Sequence, residues 1–235
     1  MIVTITHLTR MRPPYICAAG LQGRIAVRPV IAGQLHKKLL RSNGGLFEIG
    51  AVVDLGPVQH VGTAPEHEDH RFNPTRAKYL GRAAAETFWR DMKAIAQPSV
   101  EPIFGEDLTK RGSWSCGVDQ GRGRASLGCL QVYGGVDLFV RGLDPQLLRS
   151  GPRLALKDPI LGKLDLGITD VRFFEEDFIT VKDKVVESVR ARIHAGVGLL
   201  LSVGLTRATV PADKPLHWLQ VNNLHLEDAP LWNHT

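Results

Sequence analysis

The pair of apolar segments near the C-terminus places the strongest constraint on the fold of this chain. Residues 199–205 are almost all apolar, as expected for a strand that is buried on both faces. In the next segment Leu219 and Val221 share one parity, and the apolar parity then switches to Leu224 and Leu226. One extra residue in a strand reverses every later side chain, so the switch predicts a β-bulge. We therefore expect a long C-terminal β-pair, with the rest of the chain building the sheet that it joins.

The loop of this β-pair is a candidate binding site because polar and aromatic side chains lie next to it. They are Thr206, Arg207, His217 and Trp218. An indole can stack on nucleic-acid bases at about 1–3 kcal/mol each, whatever the base. The alternative is that Trp218 packs in the core or within the hairpin.

The remaining pattern predicts two runs of short strands, each with one helix. In the first half the expected strands are 2–8, 15–19, 24–30 and 47–61, with a helix at 34–41. A polar loop (65–70), a helix (83–96) and an irregular segment (99–124) follow. In the second half the expected strands are 125–132, 136–140, 153–157 and a bulged 164–173, with a helix between Thr180 and Gly196 before the C-terminal pair.

This order indicates a mostly β fold with a few helices, built as two OB-like five-stranded barrels. Short, bulged strands with internal glycine suit small, strongly curved barrels, and a helix interrupting five strands is the OB pattern. The predicted domains are 1–124, with a helical insertion at about 62–124, and 125–235. A β-sandwich and a pair of SH3-like barrels are the competing architectures.

The net charge of +5 is concentrated in the first 50 residues. Seven Lys and Arg side chains lie there against Glu48 alone, and the remainder is close to neutral. A basic surface of this kind can meet phosphate groups, although it can equally be a solvated face without a partner.

The cysteines and the hydropathy indicate a cytoplasmic protein. Three widely spaced cysteines without a CxxC motif argue against a disulfide framework or a zinc site. The N-terminus resembles a first strand and not a signal peptide, and no apolar run approaches the roughly 20 residues of a membrane helix.

No motif predicts catalysis, a metal site or a cofactor. Nucleophile-elbow, metalloprotease and P-loop patterns are absent, and Asp165 and Asp170 fall on opposite faces of their predicted strand. The cluster at 65–70 is rich in metal-ligand types but has no further His or Cys at a zinc-like spacing. We interpret it as a solvated acidic loop that could also pair with the basic N-terminal third.

Four arginines outside the C-terminal loop are candidate phosphate ligands. Arg24 and Arg28 share one face of a predicted strand, although they could instead pair with Glu48 or Asp54. Arg122 and Arg124 alternate with glycines that permit close approach of a phosphate backbone, although the segment could equally be a flexible turn. Trp114 and Tyr133 are further stacking candidates.

Two short motifs resemble the prokaryotic dual OB-containing domain family. The first runs from Cys17-Ala18-Ala19-Gly20 to Arg24-Ile25-Ala26-Val27-Arg28-Pro29-Val30; the second is Gly204-Leu205-Thr206-Arg207 followed by His217-Trp218-Leu219-Gln220-Val221. Where the family tends to carry a Trp before the Arg-Pro pair, this chain has Ala26 and Val27. The resemblance implies two OB folds and a role in binding nucleic acid or nucleotides, often in defence against phages or plasmids.

The sequence thus favours a non-catalytic module that binds single-stranded or structured nucleic acid within a prokaryotic defence or mobile-element system. One alternative is a protein-interaction or scaffold subunit of a larger complex. Another is a nucleotide-sensing domain with a pocket between the barrels. The predicted site residues are Arg24, Arg28, Arg122, Arg124, Thr206, Arg207, His217 and Trp218.

Overall fold

The N-terminal sheet forms from alternating apolar segments that each leave one face for the core. A computed structural model describes residues 1–142, 151–208 and 215–232, and it is mostly β. The strands of this sheet are β1 (Ile2–Arg10), β2 (Tyr15–Gln22), β3 (Ile25–Val30), β4 (Leu35–His36), β5 (Ala51–Asp54), β6 (Gln59–His60), β7 (Asp69–Arg71) and β8 (Lys78–Arg82). Their order is β6-β7-β3-β2-β1-β5-β8, with β4 beside β2, and β3–β7 is the parallel pair.

The second half of the chain builds two further antiparallel sheets. One has the order β11-β15-β16-β10-β9 and the other β12-β13-β14. Their strands are β9 (Thr109–Lys110), β10 (Cys116–Asp119), β11 (Leu127–Val132), β12 (Asp137–Arg141), β13 (Gly151–Asp158), β14 (Gly162–Gly167), β15 (Leu199–Leu205) and β16 (Leu216–Leu226).

Helices cover the edges of these sheets. They are α1 (Ala85–Ile95), α2 (Glu101–Phe104) and α3 (Asp183–His194), with 3-10 turns at Lys37–Leu39, Arg41–Asn43 and Val171–Phe173. In α1 the buried residues Phe88 and Met92 lie four positions apart on one face. Among the described residues no helix is long and apolar enough to cross a membrane.

The predicted bulge in the C-terminal β-pair is confirmed. Ser202 pairs with Asn223 and Val203 with Val221, so Asn222 is the extra residue. Leu219 and Val221 before it, and Leu224 and Leu226 after it, are all buried in spite of the change in parity. The predicted hairpin of β2 and β3, helix α1 and helix α3 are also confirmed.

Four predicted elements were wrong in part. The segment 34–41 forms a short strand and a 3-10 turn instead of an α-helix, and 47–61 is divided into β5 and β6. The segment 99–124 contains α2, β9 and β10, and the strand expected at 164–173 ends at Gly167. In each case long-range pairing or turn formation overrides the local pattern.

Two hydrophobic clusters form the core. One contains the N-terminal sheet and α1, and it takes in Cys129, Phe178 and Leu200 from the second half. The other contains α2, α3 and the strands after residue 100. Because α2 and β10 pack within the second cluster, residues before 124 contribute to both clusters. The domain boundary at 124 stays a prediction.

Polar side chains join the two halves where β1 passes β16. Asn223 accepts a hydrogen bond at Oδ1 from the Leu8 amide (2.7 Å) and donates from Nδ2 to the Leu8 carbonyl (3.2 Å). The Ser202 hydroxyl donates to the Thr6 carbonyl at 2.9 Å. The Asn223 side chain thus takes the place of a neighbouring strand at Leu8. It pairs the N–H and C=O groups of Leu8, which an apolar side chain at this position would leave without partners.

Two histidines are buried at this junction, and we expect them to make the fold sensitive to acid. Burial lowers the pKa of His7 from 6.5 to about 4, and burial with the nearby charges of Arg172 and His7 lowers the pKa of His225. Below pH 6.5 these histidines take up protons in the unfolded chain, whereas in the folded chain they stay neutral until the pH reaches their lowered pKa. The free energy of unfolding should therefore fall as the pH drops from 7.5 to 5, by about 2 kcal/mol for one such histidine.

Urea denaturation across this pH range measures the effect. The His7→Asn variant should show a flatter dependence, because it removes one of the two groups. Exposed His67 provides the control, and His67→Asn should keep the slope of the unmodified chain. Equal slopes in all three proteins would contradict the assignment.

Candidate nucleic-acid interface

Four of the predicted site residues, Arg28, Thr206, Arg207 and His217, meet in one charged cluster, which connects β3 to the end of the C-terminal β-pair. Arg28 Nε lies 2.5 Å from Asp69 Oδ1, and Arg207 Nη2 lies 2.6 Å from Asp69 Oδ2. Arg207 Nη1 is also 3.2 Å from Glu66 Oε1. His217 Nδ1 lies 2.9 Å from the Thr206 carbonyl oxygen and 3.6 Å from Glu66 Oε1.

The parallel pairing of β7 with β3 positions this cluster. It sets Asp69 opposite Arg28, and the Arg28 amide donates to the Glu68 carbonyl at 2.7 Å. The Glu68 carboxylate accepts hydrogen bonds from the Ser126 amide and hydroxyl and from the Leu127 amide. The expectation of a solvated loop is therefore wrong for Glu68 and Asp69, whereas pairing of this segment with the basic N-terminal third is confirmed.

Burial limits what this cluster can offer to a ligand. Arg28 is 3% exposed and His217 is 2% exposed, and the partner of Arg28 is Asp69 and not Glu48 or Asp54. The Arg207 side chain is 48% exposed, but both of its terminal nitrogens face carboxylates. Phosphate contact by these residues stays a prediction. Their observed contacts are ion pairs that link β3 and the acidic segment to the C-terminal β-pair.

Trp218 and Thr206 are fixed by the strand pair itself. The Thr206 hydroxyl accepts from the Trp218 amide, and the Thr206 amide donates to the Trp218 carbonyl. Trp218 pairs with Gly117, and a Cβ at that glycine would lie 3.6 Å from the indole. The half-buried indole thus packs over the β10–β16 pair.

The remaining predicted arginines lie at turns. Arg24 is exposed at the β2–β3 hairpin, where Gly23 adopts a positive φ of 60°. Arg122 is exposed in the turn after β10. Arg124 donates to the Ile103 carbonyl at 3.3 Å. It lines a surface depression together with Glu101 and Asp107, whose carboxylates would repel an anionic ligand there.

A second group of cations, which sequence reasoning missed, lies on the outer face of the three-stranded sheet. We call it the basic sheet face, and it comprises Arg141, Arg153, Lys157 and Lys163 of this sheet together with Lys110 of β9, whose ammonium reaches β14. On β13 Arg153 and Lys157 alternate with the buried residues Leu154 and Leu156, so they share the outward face. Lys157 pairs with Lys163 across the sheet, and the ammonium of Lys110 donates to the Lys163 carbonyl at 3.0 Å.

One buried carboxylate organises the arginines of this face. Asp165 accepts from Arg153 Nε at 2.5 Å and also pairs with Arg141. Asp137, which is exposed on β12, is the other carboxylate on the outward face of this sheet, since Asp158 of β13 lies on the buried parity. Five cations against two carboxylates leave this surface positive.

The Lys157–Lys163 pair is unfavourable without a counter-anion. Like charges directly opposite each other on neighbouring strands destabilise the pairing. Both side chains are exposed, and neither ammonium has an ion-pair partner in the described part of the chain. This arrangement is suited to an anion that lies across both strands.

Trp114 borders the same face at the tip of the β9–β10 hairpin. Its carbonyl accepts from the Asp165 amide at 3.0 Å, which fixes the tip against the free edge of β14. Its side chain is 54% exposed, and Tyr133, in the turn before β12, is 75% exposed. A large exposed indole beside cations is the combination that stacks on bases while phosphates are neutralised.

Burial makes the thiols of Cys116 and Cys129 poor nucleophiles. All three cysteines are free, and burial raises the pKa of Cys116 to about 11 and of Cys129 to about 12. These two groups are therefore protonated at neutral pH, and the thiolate is the reactive form. Within residues 1–142, 151–208 and 215–232, no group of three or more His, Cys, Asp or Glu side chains could hold a metal ion.

Comparison with known proteins does not assign a family. No family model and no curated protein matches the chain. A solved structure described as "Structure of murine DNA binding protein bound with ds DNA" aligns over 96% of each chain, with 7% sequence identity and a TM-score of 0.30. A TM-score this low establishes neither a common fold nor a common function.

Proposed function

We propose that this protein is a non-catalytic nucleic-acid-binding module and that the basic sheet face is its contact surface. The observation that carries the proposal is the exposed cross-strand pair Lys157–Lys163 beside the exposed indole of Trp114. Lysine and arginine would contact the phosphates, and the indole would stack on a base. Stacking on Trp114 requires an unpaired base, so the proposed ligand is single-stranded or structured nucleic acid.

The architectural part of the proposal is a pair of OB-like barrels, divided into 1–124 and 125–235. Curled, bulged sheets and the position of α3 before the last β-pair support it. The resemblance of the two short motifs to the prokaryotic dual OB-containing domain family supports a role in a prokaryotic defence system, with the cytoplasm as its location.

Fluorescence anisotropy with labelled single-stranded DNA, single-stranded RNA and duplex tests the proposed function. Trp114→Ala should weaken binding of a single strand by about 1–3 kcal/mol, or roughly 5- to 150-fold, because one stacked base loses its partner. Duplex binding should change less, since its bases are already stacked.

Trp89 offers a control because it lies on α1 and packs against the N-terminal core cluster, away from the basic sheet face. Trp89→Phe should leave the affinity unchanged in a folded protein. If none of the three polymers binds, the proposal fails, and a protein-interaction or scaffold role becomes the better interpretation. Binding that is unaffected by Trp114→Ala would exclude stacking at this hairpin.

A further inference from the structure

Phe139 is an aromatic side chain on the outward face of the three-stranded sheet. The alternation of β12 places Leu138 in the core, where it is fully buried, and Phe139 on the opposite face together with Asp137 and Arg141. Phe139 is half-buried and belongs to neither of the two hydrophobic clusters. Its ring therefore adds apolar surface to the basic sheet face instead of filling the core.

The ring of Phe139 has no stacking partner within the protein. Phe139 pairs with Arg153, but the guanidinium of Arg153 extends towards β14, where Nε lies 2.5 Å from Asp165 Oδ1 and Nη2 donates to the Asp165 carbonyl at 2.8 Å. Gly167 leaves room for it, since a Cβ there would lie 3.7 Å from Arg153 Nη1. Among the residues that the structure describes, no cation–π contact and no ring–ring contact involves Phe139.

Phe139 and Trp114 lie at opposite edges of this sheet. Phe139 is on the edge strand β12, and the Trp114 carbonyl accepts from the Asp165 amide beyond the edge of β14. In the register Phe139 shares a row with Gly167, so it is offset from the row of Asp165 by two residues. Three steps between neighbouring strands and this offset separate the two backbones by about 16 Å. One base cannot stack on both rings, because a stacked base is only about 3.4 Å thick.

Positive charge lies on the same face as the two rings. Arg153 is directly opposite Phe139, and Lys157 and Lys163 are exposed on the neighbouring strands. Asp137 is the exposed carboxylate of this face, and the cations outnumber it. The surface therefore suits a flexible polyanion that carries planar groups, and a single strand of nucleic acid has both properties.

We propose that a single strand of nucleic acid crosses the three-stranded sheet from Trp114 to Phe139 and stacks a different base on each ring. This inference rests on the proposed function, and it adds a second stacking residue and the path of the strand. A strand that spans about 16 Å between its two stacked bases contains roughly 4–6 nucleotides. A duplex cannot bind in this way, because its base faces are already covered.

Replacement of Phe139 tests the second stacking position, with fluorescence anisotropy of labelled dT12 as the readout. Phe139→Leu keeps an apolar side chain but removes the aromatic face, so it should weaken binding by about 5- to 150-fold. Val140→Ala is the control, because Val140 is the next residue on β12, is 38% exposed and has the opposite parity. It should leave the affinity unchanged. Urea denaturation verifies that both variants are folded, and an unchanged affinity in folded Phe139→Leu would overturn the inference.

The double variant of Trp114→Ala with Phe139→Leu tests whether the two rings contact different bases. Effects at separate sites add in free energy, so the fold-losses of the single variants should multiply. A double variant that binds no more weakly than the weaker single variant would show that the rings do not bind two bases, and the proposed path would be wrong.

The same titrations separate this inference from the proposed function. If the unmodified protein binds dT12 and Trp114→Ala alone weakens binding, the proposed function stands and the path to Phe139 fails. If the unmodified protein binds no nucleic acid, the proposed function fails and this inference fails with it.

Discussion

Replacing Asp69 with asparagine should lower the free energy of unfolding by about 3–5 kcal/mol, because it removes one partner of a buried ion pair. Asp69 holds Arg28 on one side and Arg207 on the other, and the Arg28 side chain is 4% exposed. The variant leaves the Arg28 guanidinium buried without a counter-charge. Urea denaturation followed by circular dichroism measures the loss.

The rim of the same cluster provides the control. Glu66→Gln should reduce the free energy of unfolding by no more than about 1 kcal/mol, since its partner Arg207 is half exposed and screened by water. The double variant Arg28→Met with Asp69→Leu should recover much of the loss, because an apolar pair removes the uncompensated charge. Equal losses in Asp69→Asn and Glu66→Gln would contradict the assigned roles.

Asp170→Asn should be destabilising to a similar degree, by about 3–5 kcal/mol, for the same physical reason in the other half of the chain. Asp170 is fully buried and accepts from Arg172 Nε at 2.9 Å and Nη2 at 2.6 Å, and from the Leu224 amide at 3.2 Å. Arg172 also donates to the carbonyls of Leu224 and Trp232, and its guanidinium stacks on the Trp232 ring at 3.7 Å. The pair therefore fixes the C-terminal strand and the segment after it.

Asp228 forms an ion pair with Arg192 of α3 at the protein surface, and this exposed pair is the control for the buried pair of Asp170 and Arg172. Asp228→Asn should change the free energy of unfolding by less than about 1 kcal/mol. Urea denaturation of the two variants under the same conditions separates the buried pair from the surface pair. A change below 1 kcal/mol for Asp170→Asn would show that this pair does not hold the C-terminal segment.

The C-terminal β-pair was predictable because its signal is local. The change of parity between Val221 and Leu224 is visible in the sequence. Because the apolar residues on both sides of the change must be buried, the strand needs a bulge between them. Helix α1 was predictable for the same reason, since Phe88 and Met92 repeat at the helical period.

The acidic segment shows why local reasoning was insufficient elsewhere. Its dense charge is typical of a solvated loop, but Asp69 pairs with Arg28, which is 41 residues away. The parallel β3–β7 pairing that brings them together depends on chain crossings with no local signature. The burial of Arg28 and His217 could not be predicted for this reason.

The basic sheet face was only partly visible in the sequence. The alternation of Arg153 and Lys157 with buried leucines is a local signal for outward-facing cations. Their proximity to Trp114 is not, because it depends on the docking of the β9–β10 hairpin against the edge of β14. Exposure of an indole cannot be inferred from its neighbours in sequence.

The salt dependence of single-strand binding tests the proposed function most directly. If the basic sheet face neutralises three to five phosphates, log Kobs should fall with log[salt] with a slope of roughly −2 to −3.5. Lys157→Ala with Lys163→Ala should make the slope shallower by about 1.4, because two phosphate contacts are lost.

The control removes the same charge from exposed helix positions, with Lys93→Ala and Lys184→Ala. We expect a slope like that of the unmodified protein for this control and a shallower slope for the β13–β14 variant. A slope near zero in the unmodified protein, or equal changes in both double variants, would contradict binding at the basic sheet face.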